Sequence, residues 1–285
     1  MITPVSGPTE WTGAEAPNAV AIRELAGVGP FGAAGRFALS RLYATKRLRR
    51  GLVRLRLSSG GSVWVSRRTL DSDFQTLREM FVPRKNCYGA EYAEAVVVDI
   101  GAHKGYYAAF ALLMGARCVH SYEPASENYA LLERAAASRR PGSASWQTRN
   151  AAVGAKSGSG VLNVSAESWA HSLHAGLPRS GPARAMTFEA VEVVSGEDVL
   201  TQAVVAAAGG KLIVKIDAEG AECEICLQTD PSVWKAVDDL FVEVHDFAPC
   251  DRRTLATHLR NTGLTPTSGS GPVVHLTRRP AQART

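Results

Sequence analysis

Five polar residues that could bind a ligand or move a proton each follow an apolar segment of the chain. They are Asp99, Glu123, Asn150, Asp217 and His245. Carboxylates accept hydrogen bonds from hydroxyl groups and neutralise cations, and a histidine side chain can take up a proton near neutral pH. Because the apolar segments have the composition of strands, we expect these five residues at strand ends, where they could share one site.

The segment around Asp99 has the organisation of a nucleotide-binding turn. The β-branched run 95–98 predicts a buried strand, and the apolar run 106–114 predicts a helix. Between them, Gly101 and Gly105 let the backbone approach a ligand, and the helix start offers free N–H groups. Asp99 stands where the dinucleotide motif G-x-G-x-x-G has its first glycine. A carboxylate there repels a pyrophosphate but suits hydroxyl, ammonium or sulfonium groups, which favours S-adenosylmethionine over NAD.

Glu123 is placed to bind the ribose of such a cofactor. It comes 24 residues after Asp99 (123 minus 99), at the end of the next predicted strand. An acidic residue about 20 residues beyond the first turn commonly accepts the ribose hydroxyls. Taken alone, this pair of residues remains compatible with NAD.

Strands and helices alternate over the rest of the chain. The predicted strands are 95–98, 117–122, 145–149, 161–165, 188–194, 211–216, 239–244, 264–267 and 273–277, with turns at 150–153 and 154–160. The predicted helices are 106–114, 127–138, 195–208, a short one after Gly220, and 251–262. This alternation predicts an α/β, doubly wound, mainly parallel sheet with an antiparallel pair at its edge. Ligands of such sheets bind outside the carboxyl ends of the strands, where the five polar residues fall.

Three regions divide the chain. Residues 1–17 are rich in Pro, Gly, Thr and Glu and predict a loose tail. Residues 18–94 predict an N-terminal extension that packs on the core, with two helices before about residue 50, a hairpin around Gly60, and a helix from a capping box at Ser72 to Phe81. Residues 95–285 form the predicted cofactor-binding domain.

Composition indicates a protein of the cytoplasm. The apolar fraction is 45% and the charged fraction 21%, and no apolar run reaches the roughly 18 residues of a membrane span. We see no secretory signal, and the five cysteines have no framework spacing, so we expect reduced thiols and a cytoplasmic location. The net charge of +5 comes largely from a basic run between Lys46 and Arg56. No aromatic residues interleave with it, so nucleic acid is not an expected partner.

Five motifs occur in order along the chain: VDIGAHKGYY at 98–107, YEPASEN at 122–128, NAAVG at 150–154, LIVKIDAEGAE at 212–222 and FVEVH at 241–245. Taken together, they resemble the FkbM family of S-adenosylmethionine-dependent methyltransferases. The resemblance covers about residues 70–250, and its most specific part is the motif K-I-D-x-E-G-x-E. It implies a seven-stranded, Rossmann-like class I methyltransferase fold with S-adenosylmethionine as the cofactor.

The resemblance also implies roles for individual residues. The expected cofactor-binding set is Asp99, Gly101, Ala102, His103, Gly105, Glu123, Pro124, Asn128, Asn150, Ala151 and Asp217. Within it, the glycine turn would shape the methionine end of the pocket and Asn150 and Ala151 would lie by the adenine. Asp217 would lie near the sulfonium and the acceptor.

Methyl transfer to a hydroxyl group also needs a base. Positioning of the reactants supplies much of the rate, and a placed base adds roughly 10²–10⁴-fold. His245 is the best single candidate by its intrinsic pKa, Asp217 and Glu219 are rivals, and Lys215 could tune them. A histidine at a strand end is as often a structural residue.

Metal binding is a weaker alternative. Asp217, Glu219, Glu243, His245 and Asp246 could together hold Mg²⁺ through oxygen ligands. Cys223-x-x-Cys226, with Cys250 and a histidine, could hold zinc, although no second Cys-x-x-Cys supports it. Buried cysteines and carboxylates with other uses explain both groups, so we expect no metal.

The expected reaction is O-methylation of a small molecule such as a sugar, polyketide or other natural-product intermediate. N- or C-directed methylation of a small molecule is an alternative, and a nucleic-acid methyltransferase is a weaker one, because residues 216–219 lack the aromatic residue that would stack a flipped base. An NAD-dependent oxidoreductase and a binding module without catalysis fit less well. A homodimer is left open. The loop 166–187 lies where a lid over the acceptor is expected.

Overall fold

A computed structural model describes residues 51–57, 60–82, 87–164, 171–173, 187–245, 248–267 and 273–278. The predicted tail, the two predicted helices before residue 50, and most of the predicted lid lie outside the described residues.

The described residues form twelve strands and seven α-helices. The strands are β1 (Leu52–Arg56), β2 (Ser62–Ser66), β3 (Val96–Ile100), β4 (Cys118–Tyr122), β5 (Ser145–Arg149), β6 (Ala152–Gly154), β7 (Gly158–Val164), β8 (Thr187–Ser195), β9 (Leu212–Ile216), β10 (Asp239–Glu243), β11 (Thr265–Pro266) and β12 (Val273–Thr277). The helices are α1 (Leu70–Phe81), α2 (Tyr106–Leu113), α3 (Ser126–Ala137), α4 (Gly196–Ala207), α5 (Glu222–Gln228), α6 (Pro231–Trp234) and α7 (Arg252–Arg260).

The main sheet has seven strands in the order β11-β12-β10-β9-β3-β4-β5. Strands β5, β4, β3, β9 and β10 run parallel, and β12 is antiparallel to both of its neighbours. Both central strands, β3 and β9, are buried along their whole length, as expected for parallel strands covered on both faces. The predicted doubly wound, mainly parallel sheet is therefore confirmed.

The carboxyl ends of β3 and β9 lie side by side in this sheet. Asp99 pairs in register with Lys215, and Ile100 pairs with Ile216. The strand order reverses between these two strands, since β4 lies on one side of the pair and β10 on the other. Such a switch point opens a crevice at the carboxyl ends, where the polar residues fall.

A second sheet of three strands lies beyond β5, in the order β6-β8-β7. The prediction of turns is wrong for 152–154 and 158–160, because Ala152–Gly154 pairs with β8 and β7 begins at Gly158, whereas 155–157 form the bend between these strands as predicted. Glycine and serine predict turns from composition, but Gly160 lies where an added Cβ would be 3.0 Å from Val193. Close packing of the strands therefore explains a glycine that looks like a turn residue.

The predicted β1–β2 hairpin is confirmed, but the prediction that a helix starts from a capping box at Ser72 is wrong. Helix α1 begins at Leu70 after a 3₁₀ turn at Arg67–Thr69, and the Ser66 side chain accepts from Arg68 N. Ser72 lies inside the helix and donates to Thr69 O. Burial of Phe74 and Leu77 determines which face of the helix meets the core, and this outweighs the capping preference of Ser72.

A buried ion pair ties α1 to the glycine turn. The Lys104 ammonium, in the turn, contacts Asp73 Oδ1 and donates to Thr69 Oγ1 at 2.7 Å. Asp73 is fully buried, and Lys104 is 1% exposed. A buried charge needs a partner of opposite sign, so this pair fixes where the N-terminal extension docks.

The prediction that all five cysteines are reduced is wrong for two of them. Cys223 at the start of α5 and Cys250 after β10 form a disulfide, with Cα atoms 5.8 Å apart. Cys87, Cys118 and Cys226 are free. The two cysteines are 27 positions apart and give no sequence signal, because only the fold brings the two segments together. The disulfide also uses two of the three sulfurs of the alternative zinc site.

Within the described residues, no helix is long and apolar enough to cross a membrane.

Candidate active site

A cavity of about 320 Å³ lies at the carboxyl ends of the central strands. It brings together nine of the residues predicted for the site: Gly101, Ala102, His103, Glu123, Pro124, Asn128, Asp217, Glu219 and His245. Residues from four segments of the chain thus converge on one space, and their roles stay predictions.

The other four predicted site residues support the cavity without lining it. Asp99 is fully buried beside Lys215. Gly105 packs against the next layer, where an added Cβ would be 2.7 Å from Trp146. The Asn150 amide donates to the carbonyls of Glu123 and Pro124, both at 2.9 Å, and Ala151 lies in the hydrophobic core.

At Gly101 the glycine turn comes very close to Asp217, the residue that follows β9. Its φ is +72°, and a Cβ added there would be 1.8 Å from the carbonyl oxygen of Asp217. The N–H groups of Gly101 and Ala102 donate to Tyr122 O, so β4 holds the turn on its other side. Only glycine fits this position, which explains its place in the motif.

Glu123 presents a buried carboxylate to the cavity. Oε2 accepts from His103 N at 2.8 Å and Oε1 accepts from Ala125 N at 3.0 Å. Burial raises the pKa of Glu123 to about 7, although these hydrogen bonds, with one from Asn128, oppose the rise. The carboxylate is thus fixed in position in the lining of the cavity.

Lys215 is the buried cation of the site. Its Nζ donates to Gly101 O at 2.8 Å and lies 3.5 Å from Asp99 Oδ1 and 3.4 Å from Asp217 Oδ2. Burial alone would lower the pKa of Lys215, but Asp217 and Asp99 outweigh it and raise the pKa to about 12. Lys215 therefore stays charged and holds the ends of β3 and β9 together.

His245 is held by carboxylates on both ring nitrogens. Nδ1 lies 2.9 Å from Glu222 Oε1, and Nε2 lies 3.4 Å from Glu219 Oε2 and 4.0 Å from Asp217 Oδ1. Glu222 is fully buried and also accepts from the N–H groups of Ala218 and Gly220. The fold thus brings the three predicted catalytic residues together and adds Glu222 behind His245.

Burial and the neighbouring charges shift the pKa values of His245 and Glu219. Burial lowers the pKa of His245, but Glu222 and Glu219 more than offset it and raise the pKa to about 9. Burial and the nearby Asp217 raise the pKa of Glu219 to about 8. In the ligand-free protein near neutral pH, His245 is therefore an imidazolium, and it must lose a proton before it can act as a base.

One wall of the cavity, and Glu222 in contact with His245, were not predicted from the sequence. The missed residues include Ser72, Gln75, Thr76, Glu79, Tyr88 and Glu222. The first four recur at helical spacing and are polar on a helix whose opposite face is apolar, which was the available signal. From the predicted lid, His171 and Leu173 line the cavity, and Ser172 Oγ donates to Glu219 O at 2.5 Å.

Within the described residues, one group of three side chains could hold a metal ion. Ligand atoms of Asp217, Glu222 and His245 lie within 4.8 Å of one another. Glu222 already accepts two backbone N–H groups and faces the Nδ1 of His245. We therefore interpret it as the carboxylate that orients the histidine, and the expectation of a metal-independent enzyme stays a prediction.

Comparison with known proteins identifies the family. Residues 99–262, more than half of the chain, match the methyltransferase FkbM domain. Among solved structures, the chain is similar to methyltransferase FkbM from Methylobacillus flagellatus KT, with 13% identity over 91% of this chain and 58% of that chain and a TM-score of 0.44. It is also similar to a SAM-dependent methyltransferase from Agrobacterium tumefaciens, with 7% identity over 80% of this chain and 70% of that chain and a TM-score of 0.37.

A third similar structure is the ribosomal protein L11 methylase from Lactobacillus delbrueckii subsp. bulgaricus, with 12% identity over 73% of this chain and 77% of that chain and a TM-score of 0.33. No curated protein matches the chain. These structural likenesses are distant, so the assignment rests on the family match over the residues that build the site. The chain belongs to the FkbM methyltransferase domain family and is an S-adenosylmethionine-dependent methyltransferase.

Proposed function

We propose that the protein methylates a hydroxyl group of a small molecule and that His245 accepts the hydroxyl proton. The observation that carries this proposal is the contact between His245 and Glu222, since a buried carboxylate fixes the ring with Nε2 toward Asp217 and Glu219. A histidine oriented in this way is a common general base. The cavity volume of about 320 Å³ is that of a small-molecule site.

The cavity residues fit S-adenosylmethionine. The turn at Gly101 leaves no room for a Cβ, and the buried Glu123 carboxylate can accept hydrogen bonds from ribose hydroxyls. When bound, the cofactor supplies an electrophilic methyl group on a positively charged sulfur. Carboxylates such as Asp217 and Glu219 are suited to lie near such a charge.

Each residue of the site then has one role. Gly101, Ala102 and His103 contribute backbone to the cofactor pocket, and Glu123 binds hydroxyl groups. Lys215 stays charged and lies between Asp99 and Asp217 at the floor of the site. His245 takes the proton from the acceptor oxygen, and Glu222 stabilises the resulting imidazolium.

A transfer assay tests this proposal. The full chain is incubated with methyl-labelled S-adenosylmethionine and a panel of sugars and polyketide-type alcohols, with S-adenosylhomocysteine release as the first readout and NMR assignment of the methylated atom as the second. We expect an O-methyl product, turnover that survives EDTA, and a loss of roughly 10²-fold or more in His245→Gln. Methyl groups found only on nitrogen or carbon, or full activity in both His245→Gln and Asp217→Asn, would overturn the proposal.

A further inference from the structure

Glu219 has a backbone conformation that a residue with a Cβ rarely adopts. Its φ is +48°, in the left-handed region. Such a conformation is unfavourable for residues other than glycine and persists only where the surroundings hold it. The Glu219 side chain lines the cavity, and its Oε2 lies 3.4 Å from Nε2 of His245. The unusual backbone therefore carries a carboxylate at the nitrogen that exchanges the proton in the proposed function.

Hydrogen bonds hold the peptide groups around Glu219. The N–H groups of Ala218 and Gly220 donate to the buried Glu222 carboxylate at 3.1 and 2.9 Å. The carbonyl of Glu219 itself accepts from Ser172 Oγ at 2.5 Å. Glu222 belongs to the same short stretch of chain, whereas Ser172 is 47 positions earlier. Ser172 thus fixes the left-handed residue from a distant segment.

Ser172 is held by the second sheet and points away from the cavity. It pairs with Asn163 of the edge strand β7 through N–H···O bonds of 2.8 and 3.2 Å, and Asn163 Nδ2 also donates to Ser172 O at 3.0 Å. His171 and Leu173 line the cavity, whereas Ser172 does not line it and is 1% exposed. Alternate residues of a strand-like segment face opposite sides, which explains this division. The Ser172 hydroxyl therefore acts on the site through Glu219 and not through contact with a ligand.

We propose that Ser172 is a positioning residue for proton transfer: its hydroxyl holds the carbonyl of Glu219 and thereby keeps the Glu219 carboxylate against Nε2 of His245. The proposal rests on the proposed function and adds a residue to its proton-transfer machinery. Without the hydroxyl, the Glu219 carbonyl loses a buried hydrogen-bond partner. The residue can then return to an ordinary backbone conformation, which withdraws its carboxylate from His245.

The charges around His245 determine what this withdrawal changes. The charged groups that face the ring or its carboxylates, among the described residues, are Glu222 on α5, Asp217 and Glu219 after β9, Glu243 at the end of β10, Lys215 beside Asp217, and Glu79 on α1 beside Glu243. Withdrawal of Glu219 removes one negative group from the ring and leaves Glu222 to orient it. The pKa of His245 should therefore fall, whereas a purely structural role of Ser172 would lower stability and leave that pKa unchanged.

Titration of the His245 imidazole in the ligand-free protein tests the proposal. The full chain, isotope-labelled in its histidines and kept in EDTA, is titrated by NMR, and the spectrum of His245→Gln assigns the signal. Ser172→Ala removes one oxygen atom and keeps the rest of the side chain, so it is expected to fold. We expect the pKa of His245 to fall by about 1 pH unit in Ser172→Ala and in Glu219→Gln, with no further fall in the double variant.

Thr262→Val is the matched control. Thr262 is also buried, and its hydroxyl donates to the carbonyl of Leu259, away from the cavity lining. This variant should lower Tm and leave the pKa of His245 unchanged. An unchanged pKa in Ser172→Ala, an equal fall in Thr262→Val, or a further fall when Ser172→Ala is added to Glu219→Gln would each overturn the proposal.

The transfer assay separates this proposal from the proposed function. Ser172→Ala should lower kcat at the high-pH plateau by about tenfold, because a less basic imidazole is a weaker proton acceptor, and should leave S-adenosylhomocysteine affinity unchanged. A lowered affinity with unchanged kcat would overturn the positioning role in favour of a role in cofactor binding. Full transfer activity in His245→Gln would instead contradict the proposed function, while the titration still decides whether Ser172 places Glu219.

Discussion

Glu222 holds His245 through a 2.9 Å contact between Oε1 and Nδ1, and the glutamate itself is fully buried. Two backbone N–H groups, from Ala218 and Gly220, complete the coordination of that carboxylate. Because a carboxylate only accepts, Nδ1 keeps its proton when the imidazolium becomes the neutral ring, and Nε2, directed to Asp217 and Glu219, is the nitrogen that releases and accepts a proton. The local backbone after β9 thus determines which histidine nitrogen can do chemistry.

Replacing Glu222 with glutamine should lower methyl transfer by roughly 10-fold or more, because an amide neither selects the tautomer nor stabilises the imidazolium. His245→Gln and the double variant should lose about the same amount as each other, since the two residues act as a unit. Steady-state rates and S-adenosylhomocysteine affinity in all three variants check this. Additive losses would show that Glu222 acts independently of His245.

The rate of methyl transfer should rise with pH. In the free enzyme His245 is protonated below about pH 9, so the fraction able to accept a proton grows as pH increases toward that value. A bound sulfonium lowers the pKa of a nearby histidine, so the rise in kcat should come at lower pH than the rise in kcat/KM. Profiles of both constants measure this, and an unchanged profile in His245→Gln would argue against the histidine.

The ligand-free protein should lose stability as pH rises, owing to the same cluster. Glu219 has a folded pKa of about 8 against an ordinary 4.5, so the folded state binds its proton more tightly. Its contribution is present below about pH 4.5 and is lost as pH rises through about 8, and each unit of pKa difference corresponds to about 1.4 kcal/mol. Thermal unfolding of wild type and Glu219→Gln should therefore agree near pH 4.5 and diverge by several degrees near pH 9, with the variant more stable. Equal differences at both pH values would contradict this.

Breaking the buried pair between Asp73 and Lys104 should cost about 3–5 kcal/mol, because either partner alone is left as an uncompensated buried charge. Lys104→Met and Asp73→Asn should both lower the free energy of unfolding, and the double variant should recover part of the loss. Arg68→Met, which breaks the exposed pair with Glu127, is the control and should cost about 0–1 kcal/mol. Denaturant unfolding measures all four, and equal costs at the two sites would refute the docking role of the buried pair.

Alanine at Gly101 should abolish tight cofactor binding, since a Cβ there would overlap the Asp217 carbonyl at 1.8 Å. The control is Gly142→Ala, because Gly142 has a similar φ of +78° but no atom within 4 Å of the added Cβ. That control carries only the strain of a left-handed residue, about 1–2 kcal/mol. S-adenosylhomocysteine titrations should therefore separate the two variants, and equal affinities would contradict the close approach.

The sequence predicted the parts of the fold that depend on local patterning. The buried runs of β3 and β9 and the strand-end positions of Asp99 and Asp217 follow from apolar segments and the residues that end them. The β6–β8 pairing and the Cys223–Cys250 disulfide depend on contacts between distant segments, which no local pattern contains. Glu222 is the last glutamate of the K-I-D-x-E-G-x-E motif, but its role was missed because its partner His245 lies 23 residues away.

The polar face of α1 was missed for a different reason. The spacing of Ser72, Gln75, Thr76 and Glu79 is visible in the sequence, but a polar helix face ordinarily indicates solvent. Only the docking of α1 through Asp73 and Lys104 turns that face toward the cavity.

The central claim, that the cavity at the ends of β3, β4 and β9 binds S-adenosylmethionine, is tested most directly by one calorimetric comparison. Wild type and Glu123→Gln are titrated with S-adenosylhomocysteine and with NAD. The account predicts one S-adenosylhomocysteine site in wild type, an affinity lowered by about tenfold or more in Glu123→Gln, and no NAD binding. Binding of NAD alone, or S-adenosylhomocysteine affinity that is unchanged in Glu123→Gln, would contradict it.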